Sequence, residues 1–249
     1  MKNLSELKVE NIKAITFDLD GVIIPTGTEL RESPDGTELF IKTKIISDDF
    51  FRDIEILKKH IWINFSSGRN LLYLQSVLSP ILWKNVSLQG ENGNVTLLEG
   101  KLSAVEYDLE YFDLLKEIKE EIKKEEIRGF EPKNFILTVH CDKGDKIPEI
   151  VRSLDKKGLL YCLWTGEAYD IGHKSRSKAE GVSKICEFLK IGAKQMLTMG
   201  NNLNDVEMLK YGTGVTVNPA RAEGEYKTSG VGLGGEEIAR YLVDYYQNK

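Results

Sequence analysis

Histidine and cysteine are scarce in this chain, with three of each among 249 residues. The cysteines, Cys141, Cys162 and Cys186, are odd in number and lack the paired spacing of a zinc site. Free buried thiols are therefore expected, not a disulfide framework. His60, His140 and His173 are scattered, which gives little basis for a histidine-held metal. No apolar run approaches the length of a membrane span, and the start Met1-Lys2-Asn3-Leu4-Ser5-Glu6 lacks the apolar stretch of a signal peptide. A cytoplasmic protein without a membrane partner is expected. Positive charge is also short: the formal net charge of −5 argues against a broad nucleic-acid surface. Linkers rich in proline or serine are missing, and so are internal repeats. What remains is an ordinary soluble composition, 41% hydrophobic and 29% charged, long enough for one core with a smaller second unit. It says nothing of oligomeric state.

The most informative stretch is Ile15-Thr16-Phe17-Asp18-Leu19-Asp20-Gly21-Val22. An apolar run leads into two aspartates one residue apart, and a glycine lets the backbone turn at once. This pattern predicts a buried strand whose end presents two acids. Carboxylates that close repel unless a cation or a shared proton lies between them. A hard divalent cation such as magnesium resolves the conflict, leaving one acid to attack and the other to move protons. The same residues also suit an ordinary Asp-Gly turn.

Strand and helix alternate through the first half. Residues 12–17 read as a strand, and Ser33-Pro34-Asp35-Gly36 as the tip of a hairpin between partly alternating arms. That hairpin suits a flap over the aspartates or a plain surface ribbon. Asp48 or Asp49 is expected to cap a helix with Phe50, Phe51, Ile54 and Leu57 on one stripe. Ile61-Trp62-Ile63-Asn64-Phe65 reads as a strand ending in Ser66-Ser67-Gly68-Arg69, and Val86-Ser87-Leu88 as a third before Gly90-Glu91-Asn92-Gly93. Between about Val95 and Gly172 hairpin strands and a charged helix suggest a compact α+β unit. Alternation returns after Lys178, with Met196-Leu197-Thr198-Met199 entering Gly200-Asn201-Asn202-Leu203-Asn204-Asp205. The expected architecture is α/β: a doubly wound, Rossmann-like parallel-sheet core over 1–93 and 173–249, with an inserted α+β cap over 94–172. Polar strand ends then converge where such sheets bind ligands.

Four separated segments carry groups suited to a phosphate and a cation. They are the double aspartate; Ser67 and the N–H groups around Gly68; Lys178 before a helix; and the oxygen-rich cluster from Asn201 to Asp205. Each has a plainer reading as a cap, a turn or a solvated lysine. Together, Asp-Leu-Asp-Gly, Ser-Gly-Arg, a lysine and Gly-Asn-Asn-Leu-Asn-Asp resemble the motifs of the haloacid dehalogenase superfamily. The likeness is nearest to its Cof-type and sugar-phosphate phosphatases, which carry a large α/β cap between the second and third motifs. Glu91-Asn92-Gly93 resembles the segment before that cap.

The resemblance implies a magnesium-dependent phosphomonoester hydrolase acting on a small phosphorylated metabolite such as a sugar phosphate. Asp18 would be the nucleophile that becomes an aspartyl-phosphate, and Asp20 the acid and base. Ser67, Gly68 and Lys178 would hold the phosphoryl group. Asp18, the Asp20 carbonyl and the fourth motif, through Asn201 and Asp205, would hold Mg2+. The cap would select the substrate, with His140, Lys143, Trp164 and Glu167 as candidate contacts, although His140 reads more simply as structural. One departure stands out: the family has aspartate where this chain has Asn201. A neutral ligand weakens a cation site, so a degenerate member that binds a phosphorylated ligand without turnover is the alternative. A phosphomutase and a receiver-like domain phosphorylated on aspartate are further possibilities.

Overall fold

The computed structural model describes residues 1–33, 35 and 37–249. Pro34 and Gly36 of the expected hairpin tip lie outside the described residues. The chain opens with β1 (Lys2–Asn3) and β2 (Ala14–Phe17), then a hairpin of β3 (Glu29–Glu32) and β4 (Leu39–Lys42). Helix α1 (Asp48–Leu57), β5 (Trp62–Ser66), α2 (Leu71–Val77), β6 (Val86–Gly90), β7 (Val95–Leu98) and β8 (Lys101–Ala104) follow. The middle carries α3 (Leu109–Ile122), β9 (Gly129–Glu131), β10 (Leu137–His140), α4 (Lys146–Leu154), β11 (Leu160–Trp164) and β12 (Ala168–His173). Then come α5 (Lys178–Leu189), β13 (Met196–Gly200), α6 (Val206–Tyr211), β14 (Thr213–Thr216), β15 (Tyr226–Lys227) and α7 (Gly234–Gln247). No helix among the described residues is long and apolar enough to cross a membrane.

These elements form two compact units. The first comprises residues 1–26, 45–104 and 177–249, and the second residues 27–44 and 105–176. The first is built on a sheet ordered β1-β15-β14-β13-β2-β5-β6-β7-β8, in which every pairing is parallel except the two that β7 makes with β6 and β8. Central position explains why all four residues of β2 are buried. On one face Ile15 and Phe17 join Phe50, Ile54, Leu57, Ile238 and Leu242 from α1 and α7. Phe17 lies edge-on to Phe50 at 5.4 Å and stacks on Phe65 at 5.8 Å. On the other face Ala14, Trp62 and Met196 meet Val182, Ile185 and Cys186 of α5. From β2 the chain winds one way to β5 and β6, then returns to the other side for β13 and β14. That reversal puts the switch point, where such folds bind ligands, beside β2. The doubly wound reading is correct.

Some expected details differ. The cap of α1 is Ser47, whose side chain accepts the Phe50 N–H at 3.1 Å. Asp48 and Asp49 instead occupy the first turn, where negative charge suits the helix dipole. Residues 95–104, expected in the insert, extend the main sheet because β7 pairs antiparallel with β6. The 27–44 hairpin, expected in the core, belongs to the second unit. There Glu32 N–H donates to the Arg128 carbonyl at 2.9 Å, and the Glu167 carboxylate accepts the N–H groups of Gly27 at 2.6 Å and Thr28 at 3.1 Å.

The second unit has a four-stranded antiparallel sheet ordered β11-β12-β10-β9. Strand alternation sends Leu137, Val139 and Ile171 to an apolar face shared with Tyr111, Leu115, Ile118, Ile147 and Val151 of α3 and α4. Thr138, His140 and Asp170, on the alternate positions, are buried too. They form a polar cluster with Glu131 and Lys133. All three cysteines are free thiols, as expected.

Candidate active site

Asp18 directly continues β2, its N–H donating to the Met199 carbonyl at 3.0 Å and so extending the ladder to β13. The chain then turns abruptly: the Leu19 carbonyl accepts the N–H groups of Val22, Ile23 and Ile24 at 2.9–3.1 Å. Gly21 makes the turn possible at φ +80°, a region that L side chains rarely adopt. The result exposes Asp20 partly while Asp18 remains 5% exposed.

Lys178 is the first residue of α5 rather than the residue before it. Its ammonium is buried and bridges two acids, donating to Asp18 Oδ1 at 2.6 Å and Asp205 Oδ1 at 2.7 Å. Burial alone would lower the lysine. The charges of Asp18 and Asp205 and the hydrogen bonds to them outweigh it, holding the ammonium above its ordinary range. Asp18 is affected in the opposite sense. Burial, followed by the charge of Asp205, pushes it up to about 7 despite Lys178. Two carboxylates around one ammonium leave one negative charge uncompensated in a buried place. A bound cation relieves such an excess.

Asp205 is the keystone of the loop after β13. Its Oδ2 accepts the backbone N–H of Asn201 at 2.9 Å and of Asn202 at 3.0 Å. With Oδ1 on Lys178, both carboxylate oxygens are already engaged, and the side chain is fully buried. Asn201 points elsewhere, its Nδ2 donating to the Asp20 carbonyl at 2.9 Å. Nearby, Asn204 Nδ2 reaches Asn92 Oδ1 at 3.3 Å. Asn92 belongs to the turn Glu91-Asn92-Gly93, whose residues all have positive φ.

Ser67 stands at the end of β5, beside β2 in the ladder that pairs Phe65 with Phe17. Its hydroxyl oxygen accepts the Arg69 N–H at 3.1 Å, leaving the hydroxyl hydrogen available to an anion. Gly68 follows, with Asn70 capping α2 through the Tyr73 N–H at 2.8 Å, so the helix starts three residues beyond Gly68. Arg69 is the residue that sequence reasoning left without a role. Its Nε donates to Asp20 Oδ2 at 3.0 Å and its Nη2 to Asp20 Oδ1 at 2.9 Å, a fork that fixes the Asp20 carboxylate. Its position next to Ser67-Gly68 was the available signal.

The oxygens here suit a hard cation. Among the described residues no three His, Cys, Asp or Glu side chains gather to hold a metal. The available set is mixed: the Asp18 carboxylate, the Asp20 carbonyl and the Asn201 carboxamide. All are of the oxygen type that magnesium takes, and the Asn201 carboxamide lies beside the Asp20 carbonyl, with its nitrogen rather than its oxygen at 2.9 Å.

The candidate substrate contacts lie in the second unit. His140 Nε2 meets Glu131 Oε1 at 2.9 Å. Glu167 holds the start of the hairpin, Trp164 packs on Tyr169 with ring centres 4.9 Å apart, and Lys143 is exposed.

A family model for haloacid dehalogenase-like hydrolases matches residues 37–226. The chain belongs to that family. Its matched span begins after the double aspartate and takes in Ser67, Lys178 and the Asn201–Asp205 loop. A phosphoglycolate phosphatase from Methanopyrus kandleri is 29% identical over 198 residues, 76% of this chain and 84% of that protein. Two solved structures share the fold at lower identity. The C-terminal domain of Candida albicans trehalose-6-phosphate phosphatase superposes with a TM-score of 0.70 at 18% identity, covering 95% of each chain. A phosphatase of the superfamily from Bacteroides thetaiotaomicron gives 0.65 at 15% identity, covering 93% of this chain and 95% of that one. The chain is thus an enzyme of the hydrolase class whose relatives are phosphatases.

Proposed function

We propose that this hydrolase cleaves a small phosphomonoester, with Asp18 as nucleophile. What carries the reading is the buried Asp18–Lys178–Asp205 bridge at the switch point of the sheet. Phosphoryl transfer needs positioning and neutralised charge more than covalent finesse, and this bridge offers both. A phosphoryl group held by Lys178, the Ser67 hydroxyl and the Gly68 N–H faces the Asp18 carboxylate. An Asp18 oxygen bonds to phosphorus as the ester P–O bond breaks, and Asp20 gives its proton to the departing alkoxide. Water then attacks phosphorus, Asp20 takes the water's proton, and the Asp18–phosphorus bond breaks to release phosphate. Arg69 orients Asp20 while its carboxylate is ionised. Asp18, the Asp20 carbonyl and Asn201 are the residues that would hold magnesium, whose chemistry there is neutralisation of phosphoryl charge. Asp205 is assigned to positioning Lys178 and the Asn201 loop, not to ligation. The second unit, with its hairpin, is assigned to substrate selection. The Methanopyrus relative makes phosphoglycolate and similar small esters the first candidates, acting within the cytoplasm.

The test is phosphate release from a generic aryl phosphate and from a panel of sugar phosphates and phosphoglycolate, with and without magnesium. Magnesium-dependent release is expected, and Asp18→Asn should lower it by roughly 10³-fold or more. Equal release by wild type and Asp18→Asn overturns the assignment. The second reading, a phosphate-ester binder without turnover, draws on one observation. The Asn201 amide caps the Asp20 carbonyl that the cation would need.

A further inference from the structure

Asn201 meets the Asp20 carbonyl through its amide nitrogen, at 2.9 Å. Its backbone has little freedom, because the N–H groups of Asn201 and Asn202 are both fixed on buried Asp205. The carboxamide can turn only about its own side-chain bonds, and Asn201 is partly exposed. Only glycine at position 21 admits the amide in this position, because a Cβ there would lie 2.1 Å from Asn201 Nδ2. Asp20 keeps its side chain on Arg69 by separate bonds, so movement of the amide leaves that carboxylate undisturbed.

A carboxamide has a donor and an acceptor end of nearly equal size. With nitrogen toward the carbonyl it makes a hydrogen bond. Turned over, it opposes two oxygens at about the same spacing, which is repulsive unless a cation lies between them. A carboxylate at this position has no donor end and suits only the second arrangement. We propose that Asn201 is a two-position latch: its amide closes the Asp20 carbonyl in the cation-free enzyme, and its oxygen replaces the amide there when a hard divalent cation binds. Cation entry then costs an internal hydrogen bond and a rotation, neither of which an aspartate imposes. The latch rests on the phosphatase reading above, and it makes this chain's enzyme one that is switched by cation concentration.

The test follows the Asn201 side-chain NH2 signals in ¹⁵N-labelled full-length protein, assigned by their loss in Asn201→Asp, during titration with magnesium alone. Titration calorimetry on the same samples reports binding. The latch predicts that the NH2 signals shift and exchange with water roughly 10-fold faster at saturation, as expected of a lost hydrogen bond. It also predicts that Asn201→Asp binds magnesium about 10- to 100-fold more tightly. Signals that stay fixed at millimolar magnesium overturn the latch, whether or not calorimetry detects binding, and so does unchanged affinity in Asn201→Asp. The two readings fail separately. Magnesium-dependent phosphate release with a static amide removes the latch alone. A moving amide with no release from any ester removes the phosphatase reading alone.

Discussion

Each unit buries a lysine among carboxylates, and the two arrangements are built differently. In the first, Lys178 touches Asp18 and Asp205 at 2.6 and 2.7 Å, at the ends of parallel strands where the sheet reverses direction. In the second, Lys133 lies 3.0 Å from Glu131 and 3.6 Å from Asp170, and donates to the Thr138 hydroxyl at 2.5 Å. His140 Nε2 lies 2.9 Å from Glu131 Oε1. The first cluster carries a surplus negative charge and lies beside partly exposed Asp20 and Asn201. The second sits on the pleat of an antiparallel sheet. A lysine buried among carboxylates is therefore common to both units, and the first cluster differs in having partly exposed Asp20 and Asn201 beside it.

Breaking each cluster tests this contrast. Lys178→Met should have the largest effect, costing roughly 3–5 kcal/mol in urea unfolding because two buried carboxylates lose their partner, and it should also abolish phosphate release. Lys133→Met should cost less, about 1–3 kcal/mol, with release from a small aryl phosphate retained. Loss of release in that variant would erase the distinction between the two clusters.

A pH series sharpens the comparison further. Unfolded, Asp18 ionises near its ordinary value of 3.8; folded without cation, it does so at about 7. Between those values the folded chain holds a proton that the unfolded chain has lost, so this group makes stability fall as pH rises through the window. The effect should be on the order of 1 kcal/mol or more in cation-free buffer. It should vanish in Asp18→Asn and shrink with magnesium. His140→Gln should have the smallest effect, below about 1 kcal/mol, because glutamine can still donate to Glu131. A larger loss would mean that the imidazole holds the second cluster together in a way that glutamine cannot reproduce.

Local chemistry made much of this legible beforehand. The apolar run into Asp18, the glycine after Asp20 and the stripes of α1 and α3 are short-range patterns with one good structural solution each. Lys178 was identifiable from its spacing to α5. The errors came from long-range partners. Asp48 and Asp49 are good caps by composition, yet Ser47 is the residue with extended backbone ahead of the turn. Nothing in 27–44 announces that Glu167, some 140 residues on, holds its start. Arg69 and Asn201 stood in recognisable motifs, but which atoms of Asp20 they meet depends on how three loops come together. The polar residues inside the strands were invisible as a group. Asn64 accepts from Ser87, while its amide donates to Thr16 and Gln89, a network spanning three strands.

The attachment of the hairpin to the second unit limits how this protein can be rebuilt. Exchange of the second unit between relatives cannot be a single cut and paste, because a fragment spanning 105–176 would leave behind the ribbon that Glu167 and Arg128 anchor. A chimaera must transplant residues 27–44 and 105–176 together.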